Sequence, residues 1–340
     1  MVNQLYGRQE RVAEAAGWSG DKPRMGFFTD TSVCIGCKAC EVACKEWNQV
    51  PEDGLNLLGS SYDNTGALGA STWRHVAFIE QPKRHAEQEP GLQHLPTGPS
   101  AAGEVNALTD IAQAGDRSQL GTDSSAVDVQ AAGPPSPDGG SARSEFRWLM
   151  ESDVCKHCTH AGCLDVCPTG ALFRTEFGTV VVQDDVCNGC GYCVPACPFG
   201  VIDRRPEEKT VKNHGLAQKC TLCYDRLQDG MTPACAKACP TESIQFGDID
   251  ELRRRAEDRQ HQLHADGVAD ARLYLHDPDD GVGGGGAMFL LLDEPEVYGL
   301  PPDPVVPTRD LPSMWRQGTF AAFTVLAGAA ISFLGRRGPR

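Results

Sequence analysis

The sequence predicts an α+β fold of short strands and one-turn helices, followed by a C-terminal transmembrane helix. Three observations lead to this prediction. All sixteen cysteines of the 340-residue chain fall into four groups of four. Short, mostly apolar runs of strand length precede three of these groups, at residues 26–28, 146–150 and 179–182. An uncharged stretch near the C-terminus has the composition of a helix that is buried in lipid.

The composition excludes several classes of protein. The mean hydropathy is −0.34 and 40% of the residues are hydrophobic, which excludes a multi-span membrane protein and a wholly disordered chain. The 31 lysines and arginines are outnumbered by 46 aspartates and glutamates, giving a formal net charge of −15 at pH 7. A nucleic-acid-binding protein needs a basic surface that displaces counterions from phosphate, so this class is excluded as well.

The spacing within each cysteine group suits iron–sulfur ligation. The first and third groups read C-x2-C-x2-C-x3-C, and the second and fourth widen the middle gap to four and eleven residues. Three closely spaced thiolates let a tight loop wrap one cube of iron and sulfide, while the fourth ligates the neighbouring cube in two-cluster ferredoxins. The groups are Cys34, Cys37, Cys40 and Cys44; Cys155, Cys158, Cys163 and Cys167; Cys187, Cys190, Cys193 and Cys197; and Cys220, Cys223, Cys235 and Cys239.

Disulfides and structural zinc are the other uses of cysteine to be considered. Disulfide frameworks belong to small secreted domains, whereas this chain is long and residues 2–20 contain charges where a signal peptide would be apolar. Zinc sites with four thiolates also use C-x2-C pairs, but they join two separated pairs and need no third cysteine two residues on. A zinc-stapled scaffold protein therefore stays open as an alternative of a different class.

Two segments outside the cysteine groups differ from the rest of the chain. Residues 82–144 contain no aromatic residue, methionine or cysteine, and this composition predicts a disordered or loosely packed insertion. Near the C-terminus, sixteen uncharged residues run from Thr319 to Leu334, and residues 314–335 are predicted to form a single membrane anchor helix. A buried helix of a soluble domain is the alternative for that segment.

Local patterns predict the elements that follow the last cysteine group. Residues 248–264 predict a charged helix with a solvated face. The glycine-rich run at 281–286 lacks the preceding strand and the Lys-Ser/Thr pair of a phosphate-binding loop, so it predicts a turn into a strand at 287–292.

The motifs resemble the iron–sulfur (beta) subunit of membrane-bound respiratory formate dehydrogenases. The resemblance covers nearly the whole chain except residues 82–144. The cysteine groups alone do not identify the enzyme, because subunits of dimethyl sulfoxide, nitrate and polysulfide reductases and of some hydrogenases have them too. The segment between the groups and the tail with its anchor helix narrow the resemblance to formate dehydrogenase. The residues that carry it are Gly26–Asp30, Cys34–Cys40, Ala43–Asn48, Tyr62–Asn64, Cys187–Cys193, Lys219–Cys223 and Leu300–Pro301.

The resemblance implies four [4Fe–4S] clusters with crossed ligation, in which three cysteines of one group share a cluster with the last cysteine of another. The first and last groups then build one bacterial-ferredoxin-like dicluster lobe, and the two middle groups build a second lobe inserted within the first. The implied ligand sets are set A, Cys34, Cys37, Cys40 and Cys239; set B, Cys220, Cys223, Cys235 and Cys44; set C, Cys155, Cys158, Cys163 and Cys197; and set D, Cys187, Cys190, Cys193 and Cys167.

This architecture implies the domain boundaries. They are 1–81 for the N-terminal part of the first lobe, 82–144 for the insertion, 145–209 for the second lobe, 210–247 for the return to the first lobe, 248–313 for the helix, Gly-rich turn, strand and tail, and 314–335 for the anchor.

The resemblance also implies a function, that of a non-catalytic electron-transfer subunit. Subunits of this family relay electrons from a molybdenum- or tungsten-pterin catalytic alpha subunit to a cytochrome b gamma subunit in the membrane, and onward to quinone. The same relay role in another molybdopterin reductase or in a hydrogenase complex stays open. Arg336, Arg337 and Arg340 favour a cytoplasmic C-terminus, which implies a cluster domain on the outer face of the cell membrane. Arg309 and Arg316 oppose this bias, so the cytoplasmic face is the alternative.

Several polar residues beside the ligands need an interpretation. His157 and His160 lie within the second group, where four cysteines already complete the ligand set. Both are therefore predicted to contact the ligands without binding iron themselves. The lysines next to ligands are interpreted as ordinary surface residues, and the alternative is that they raise the potentials of neighbouring clusters by charge or hydrogen bonding. They are Lys38, Lys45, Lys156 and Lys219.

Overall fold

The computed structural model of the chain describes residues 9, 11–20, 22–53, 62–63, 65–82, 146–208 and 210–335. The chain forms two compact units, one made of Met1–Ile79 with Trp148–Arg340 and the other of Glu80–Arg147. Only the two ends of the second unit are described. The predicted insertion at 82–144 therefore lies, apart from Pro82, outside the described residues.

The described residues form short strands and mostly short helices, which is the predicted α+β content. The strands are β1 (Met25–Asp30), β2 (Arg74–Pro82), β3 (Phe146–Val154), β4 (Leu172–Arg174), β5 (Val180–Val182), β6 (Asp203–Arg204), β7 (Ala217–Gln218), β8 (Ile244–Asp248), β9 (Arg272–Tyr274) and β10 (Ala287–Leu291). The α-helices are α1 (Val12–Ala15), α2 (Ala39–Asn48), α3 (Gly162–Asp165), α4 (Tyr224–Gln228), α5 (Ala234–Ala238), α6 (Ile249–Ala265) and α7 (Leu311–Gly335). Two 3-10 helices cover Thr31–Val33 and Pro295–Tyr298.

A four-stranded sheet in the order β8-β1-β10-β9 organises the first unit. Strand β1 pairs in parallel with β10 and antiparallel with β8, so that Phe27 lies between Ala287 and Phe246. Every residue of β10 is buried. Because the chain segments before the first cysteine group and after the last one meet in this sheet, it brings distant cysteine groups onto a common support.

The two faces of this sheet carry different structures because side chains alternate along each strand. On one face, Phe28, Met288 and Leu290 pack against α6 through residues such as Leu252 and Ala256. The side chain of Asp248 caps α6 by accepting hydrogen bonds from the backbone N–H groups of residues 250 and 251, as expected for an N-cap aspartate. On the other face, apolar residues of the same strands pack with five cysteines: Cys40, Cys44, Cys155, Cys220 and Cys235.

The glycine-rich run at 281–286 is a turn into β10, as the sequence predicts, and it also supports the second cysteine group. Backbone N–H groups of Thr159 and His160 donate to the carbonyls of Gly284 (3.0 Å) and Val282 (2.8 Å). Gly283 has a φ of +74°, and a Cβ at this position would lie 2.5 Å from the His160 ring. Glycine is required here because the backbone is left-handed and the ring lies directly against it.

The three strands and the charged helix predicted by local patterns lie at their expected places. The apolar runs at 26–28, 146–150 and 179–182 belong to β1, β3 and β5, and the helix predicted over 248–264 is α6. Three further sheets have two strands each: β2 with β3, β4 with β5 and β6 with β7.

The C-terminal helix α7 exposes a series of large apolar side chains. These are Met314, Trp315, Phe320, Phe323, Val325, Leu326, Ile331 and Phe333. Within the part of the chain that the structure describes, no helix combines the length and the apolar character that crossing a membrane requires. The predicted anchor, 314–335, ends with Leu334 and Gly335, whose side chains are outside the described part, as are residues 336–340.

Candidate iron–sulfur sites

All sixteen cysteines are free of disulfide bonds. Across the described ranges, no three His, Cys, Asp or Glu side chains are arranged so as to hold a single metal ion. The cysteines instead gather around two cavities and in two further clusters of thiols.

The first cavity is lined by the four cysteines of set A. Cys34 and Cys37 lie on the loop between β1 and α2, Cys40 lies in the first turn of α2, and Cys239 directly follows α5. Two residues of this loop, Gly36 and Lys38, have left-handed backbone with φ near +60° (64° and 59°), which curls the loop around the cavity. Ser152 also lines the cavity, and its Oγ lies 3.2 Å from Cys40 Sγ.

The second cavity is lined by the four cysteines of set C. Its empty volume is about 360 Å³, open solvent at its mouth included. Cys155, Cys158 and Cys163 come from the second group, and Cys197 comes from the end of the third group. Most of the remaining wall is apolar, with Phe199, Ile202 and Val180 among its members. This combination of buried thiols and apolar walls fits a group that is ligated by sulfur and shielded from water.

The cysteines of set B meet where α2 packs against α5. Helix α2 carries Cys44 and α5 carries Cys235. The side-chain amide of Asn48 lies 3.7 Å from Cys44 Sγ and 3.8 Å from Cys223 Sγ. Burial, followed by the charges of Cys220, Cys235 and Cys223, raises the pKa of the Cys44 thiol. The last cysteine of the first group is therefore a neighbour of the fourth group.

The cysteines of set D gather in the same way around Cys193. Burial raises the pKa of Cys193 to about 11, and the charges of Cys187, Cys190 and Cys167 act in the same direction. Cys167 differs from its neighbours. Burial opposes its ionisation, but backbone N–H groups, that of Leu172 first among them, outweigh burial and lower the pKa of its thiol.

Most of the buried thiols are weaker acids than an exposed cysteine. Burial raises the pKa of Cys40 to about 11. Burial likewise raises the pKa values of Cys163 and Cys220 above their ordinary value. Because iron binds the thiolate, loading these sites with clusters must displace protons. The donor set, its burial and its grouping by fours therefore fit [4Fe–4S] clusters.

The interpretation of the lysines as ordinary surface residues is wrong for Lys156 and Lys219, and it does not describe Lys38 either, because the Nζ of Lys38 is buried and this residue lines the cavity of set A. Lys156 is fully buried, pairs with Asp153 and lies 4.9 Å from the centre of the Phe289 ring. Lys219 is 2% exposed and donates to the carbonyls of Val180 and Cys220. Both line the cavity of set C, so positive charge lies inside the wall of a site that would hold an anionic cluster.

Of the two histidines, His157 has a defined supporting role. It is 2% exposed, and burial, helped by the neighbouring Lys219 and Arg174, lowers its pKa well below the ordinary value. The neutral ring accepts a hydrogen bond at Nδ1 from the backbone N–H of Val180 (3.1 Å). His157 thereby fastens the loop of the second cysteine group to β5. His160 is buried beside the glycine turn.

Arg74 and Ser152 were not identified from the sequence. Arg74 begins β2, is 2% exposed, and donates from Nη1 to the carbonyl oxygen (3.1 Å) and Oγ (3.0 Å) of Ser152. Neither residue is part of a cysteine group, and an arginine followed by a short apolar strand carries no signal of burial. Only the three-dimensional structure places this guanidinium next to the cysteines.

Comparison with known proteins agrees with these sites. Two family models, each described as a 4Fe–4S dicluster domain, match residues 33–171 and 146–249. The formate dehydrogenase iron–sulfur subunit of Haemophilus influenzae is 35% identical over 84% of this chain and 71% of its own length. The nitrate-inducible formate dehydrogenase iron–sulfur subunit of Escherichia coli K12 is 34% identical over 87% and 78%.

A more distant relative has a different enzyme name. The B subunit of the anaerobic dimethyl sulfoxide reductase of Escherichia coli K12 is 30% identical over 68% of this chain and 76% of its own length. Its lower identity and shorter match separate it from the two formate dehydrogenase subunits. On the four sets of thiols and the extent of the similarity, the chain therefore belongs to the family of formate dehydrogenase iron–sulfur subunits.

Proposed function

We propose that this chain is the non-catalytic electron-transfer subunit of a formate dehydrogenase complex and relays electrons through four [4Fe–4S] clusters. The observation that carries the proposal is the gathering of sixteen free cysteines into four sets of four. Each cluster, when bound, supplies a centre that accepts and passes one electron. The chain itself holds these centres at fixed positions and shields most of their ligands from water.

The crossed ligand sets A to D are part of the proposal. Two cavities, each lined by three cysteines of one group and one of another, support sets A and C. Electrostatic interactions of Cys44 with the fourth group and of Cys193 with Cys167 support sets B and D. With this pairing, sets A and B belong to one lobe, formed by residues 1–81 and 210–247. Sets C and D belong to a second lobe at 145–209.

We infer that the sets lie in the order A, B, C, D. Thiols of neighbouring sets interact electrostatically in three pairs: Cys40 with Cys235 (A to B), Cys220 with Cys155 (B to C) and Cys163 with Cys193 (C to D). Each of the two end sets includes an exposed cysteine, Cys37 in A and Cys190 in D. We infer that electrons enter at one end set and leave at the other.

The partners follow from this role. A relay needs a donor, and for this chain we propose a molybdenum- or tungsten-pterin catalytic subunit that oxidises formate. It also needs an acceptor, and we propose a cytochrome b subunit in the membrane that passes electrons to quinone. The similarity to a dimethyl sulfoxide reductase subunit supports a second candidate, the same relay in a reductase complex.

Purification of the native complex tests this proposal. We expect the chain to co-purify with a pterin-containing subunit and its cluster signals to appear when formate is added. Dimethyl sulfoxide, added to dithionite-reduced complex, should leave those signals unchanged. The isolated chain should not respond to formate. Oxidation by dimethyl sulfoxide without any response to formate would contradict the proposal and select the second candidate.

We further propose that residues 314–335 anchor the chain in the cell membrane, with the cluster lobes on the outer face. The large apolar side chains that α7 exposes support an anchor, because a large exposed apolar surface usually marks a site that binds lipid or another protein. A chain that ends at Asp310 is expected to leave the membrane fraction after an alkaline wash. A control chain that ends at Gly335 lacks only the last five residues and should stay. Equal retention of both would contradict the anchor.

A further inference from the structure

We infer that Arg74 is a positioning residue whose fixed positive charge raises the reduction potentials of the clusters held by sets A and B, with Ser152 linking it to Cys40. This inference rests on the proposed function, since it assigns a role to a side chain toward clusters that the proposal supplies. It concerns residues outside the cysteine groups and outside every motif that the sequence singles out.

The contacts of Arg74 connect it to set A through Ser152. Nη1 donates to Ser152 Oγ at 3.0 Å, and that oxygen lies 3.2 Å from Cys40 Sγ. The guanidinium carbon lies 4.9 Å from the centre of the Phe27 ring, so the aromatic face covers one side of the charged group. Arg74 is thereby fixed between the sheet and the cysteines.

Two further donors of Arg74 have no oxygen or nitrogen partner. Nε and Nη2 are buried and make no such hydrogen bond, while the Arg74 side chain also interacts with the sulfur of Cys235 as a hydrogen-bond donor. A buried charge without a counter-charge is costly, so the compensating negative charge has to come from elsewhere. Glu151 is a buried carboxyl that also interacts electrostatically with Arg74, but burial raises its pKa well above the ordinary value and so favours its neutral form. The thiolate cluster is then the group that can supply the negative charge.

The cysteines that interact electrostatically with Arg74 belong to two ligand sets. Burial disfavours the charged guanidinium, but the charges of nearby cysteines outweigh burial and raise the pKa of Arg74. Those cysteines are Cys235, Cys40, Cys220 and Cys44. Cys40 is a member of set A and the other three are members of set B, so the charge of one arginine acts on the ligands of both sets.

A fixed cation next to a cluster stabilises its reduced form. Reduction adds one negative charge, and the attraction between this charge and the guanidinium is strong in a buried environment. A hydrogen bond to a cysteine sulfur acts in the same direction. No cysteine of set C or set D is among the cysteines that act on Arg74, and the cavity of set C is lined by other cations, Lys156 and Lys219.

A redox titration tests this inference. The full-length chain is purified anaerobically with its clusters, and the reduction of each cluster is followed by electron paramagnetic resonance. In Arg74→Gln we expect the ratio of reduced to oxidised cluster at a fixed potential to fall about tenfold for the clusters of sets A and B. For a one-electron couple this corresponds to a reduction potential that is about 59 mV lower. The potentials of C and D should stay unchanged. Arg74→Lys keeps the charge and should restore A and B toward their native values.

Two further variants complete the test. Ser152→Ala keeps the guanidinium and removes the contact with Cys40, so it should lower the potential of A alone. Arg205→Gln is the matched control, because Arg205 is also buried and donates to the carbonyls of Ala70 (3.4 Å) and Lys212 (2.7 Å), with no cysteine among its electrostatic partners. It should leave all four potentials unchanged.

The outcomes separate the inference from the proposed function. Unchanged potentials of A and B in Arg74→Gln, or an equal shift of all four clusters, overturn the inference while the native protein still shows its clusters. If Arg74→Gln does not fold, Ser152→Ala decides: a lower potential of A supports the inference and no shift overturns it. A native protein without reducible clusters would instead refute the proposed function.

Discussion

Replacing Cys44 with serine is expected to destroy the cluster held by Cys220, Cys223 and Cys235, more than 170 residues away in sequence, and to spare the cluster held by its own group. Cys44 lies in α2, which packs against α5, the helix that carries Cys235. Asn48, one turn beyond Cys44, contacts the sulfur atoms of both Cys44 and Cys223. The damage should therefore follow the contact between helices and not the order of the sequence.

Spectra that resolve the four clusters measure this result. We expect Cys44→Ser to remove or convert the signal of the set B cluster, with the set A signal retained. The matched change, Cys239→Ser, should do the reverse, because Cys239 lines the cavity of set A with Cys34, Cys37 and Cys40. If Cys44→Ser removes the set A signal and Cys239→Ser removes the set B signal, the crossed assignment is wrong.

Replacing Cys158 with serine is expected to interrupt the relay between its two ends. Cys158 is a ligand in set C, and set C interacts with set B through Cys155 and with set D through Cys163. Because no other set joins B to D, loss of the set C cluster should leave A and B on one side of the break and D on the other.

The measurement is made on the native complex with formate as reductant. Clusters on the side of the catalytic partner should still be reduced, while those beyond the break stay oxidised and quinone reduction falls to the level of a preparation without this chain. Thr159→Ser is the control, because serine keeps the hydroxyl that donates to the Gly284 carbonyl (3.0 Å). Full reduction of all four clusters in Cys158→Ser would show that the sets do not lie in series.

Local patterns predicted much of this structure because their causes are local. The C-x2-C repeats, the apolar runs that became β1, β3 and β5, and the charged segment that became α6 are each visible within a short stretch of sequence. The resemblance to a known family supplied the pairing of distant groups, which spacing alone left open.

The sequence did not reveal what depends on contacts between distant segments. The parallel pairing of β1 with β10 joins residues about 260 apart, and no local pattern marks it. Burial of Lys156, Lys219 and Arg74 was missed for the same reason, because cationic side chains are mostly exposed and only the sheet and the cysteine loops together enclose these three.

Iron and acid-labile sulfide in the anaerobically purified full-length chain test the central claim most directly. Four [4Fe–4S] clusters require one iron and one sulfide for each of the sixteen cysteines, together with paramagnetic signals on reduction. Zinc in place of iron, with no sulfide and a colourless protein, would contradict the relay and favour a zinc-stapled scaffold.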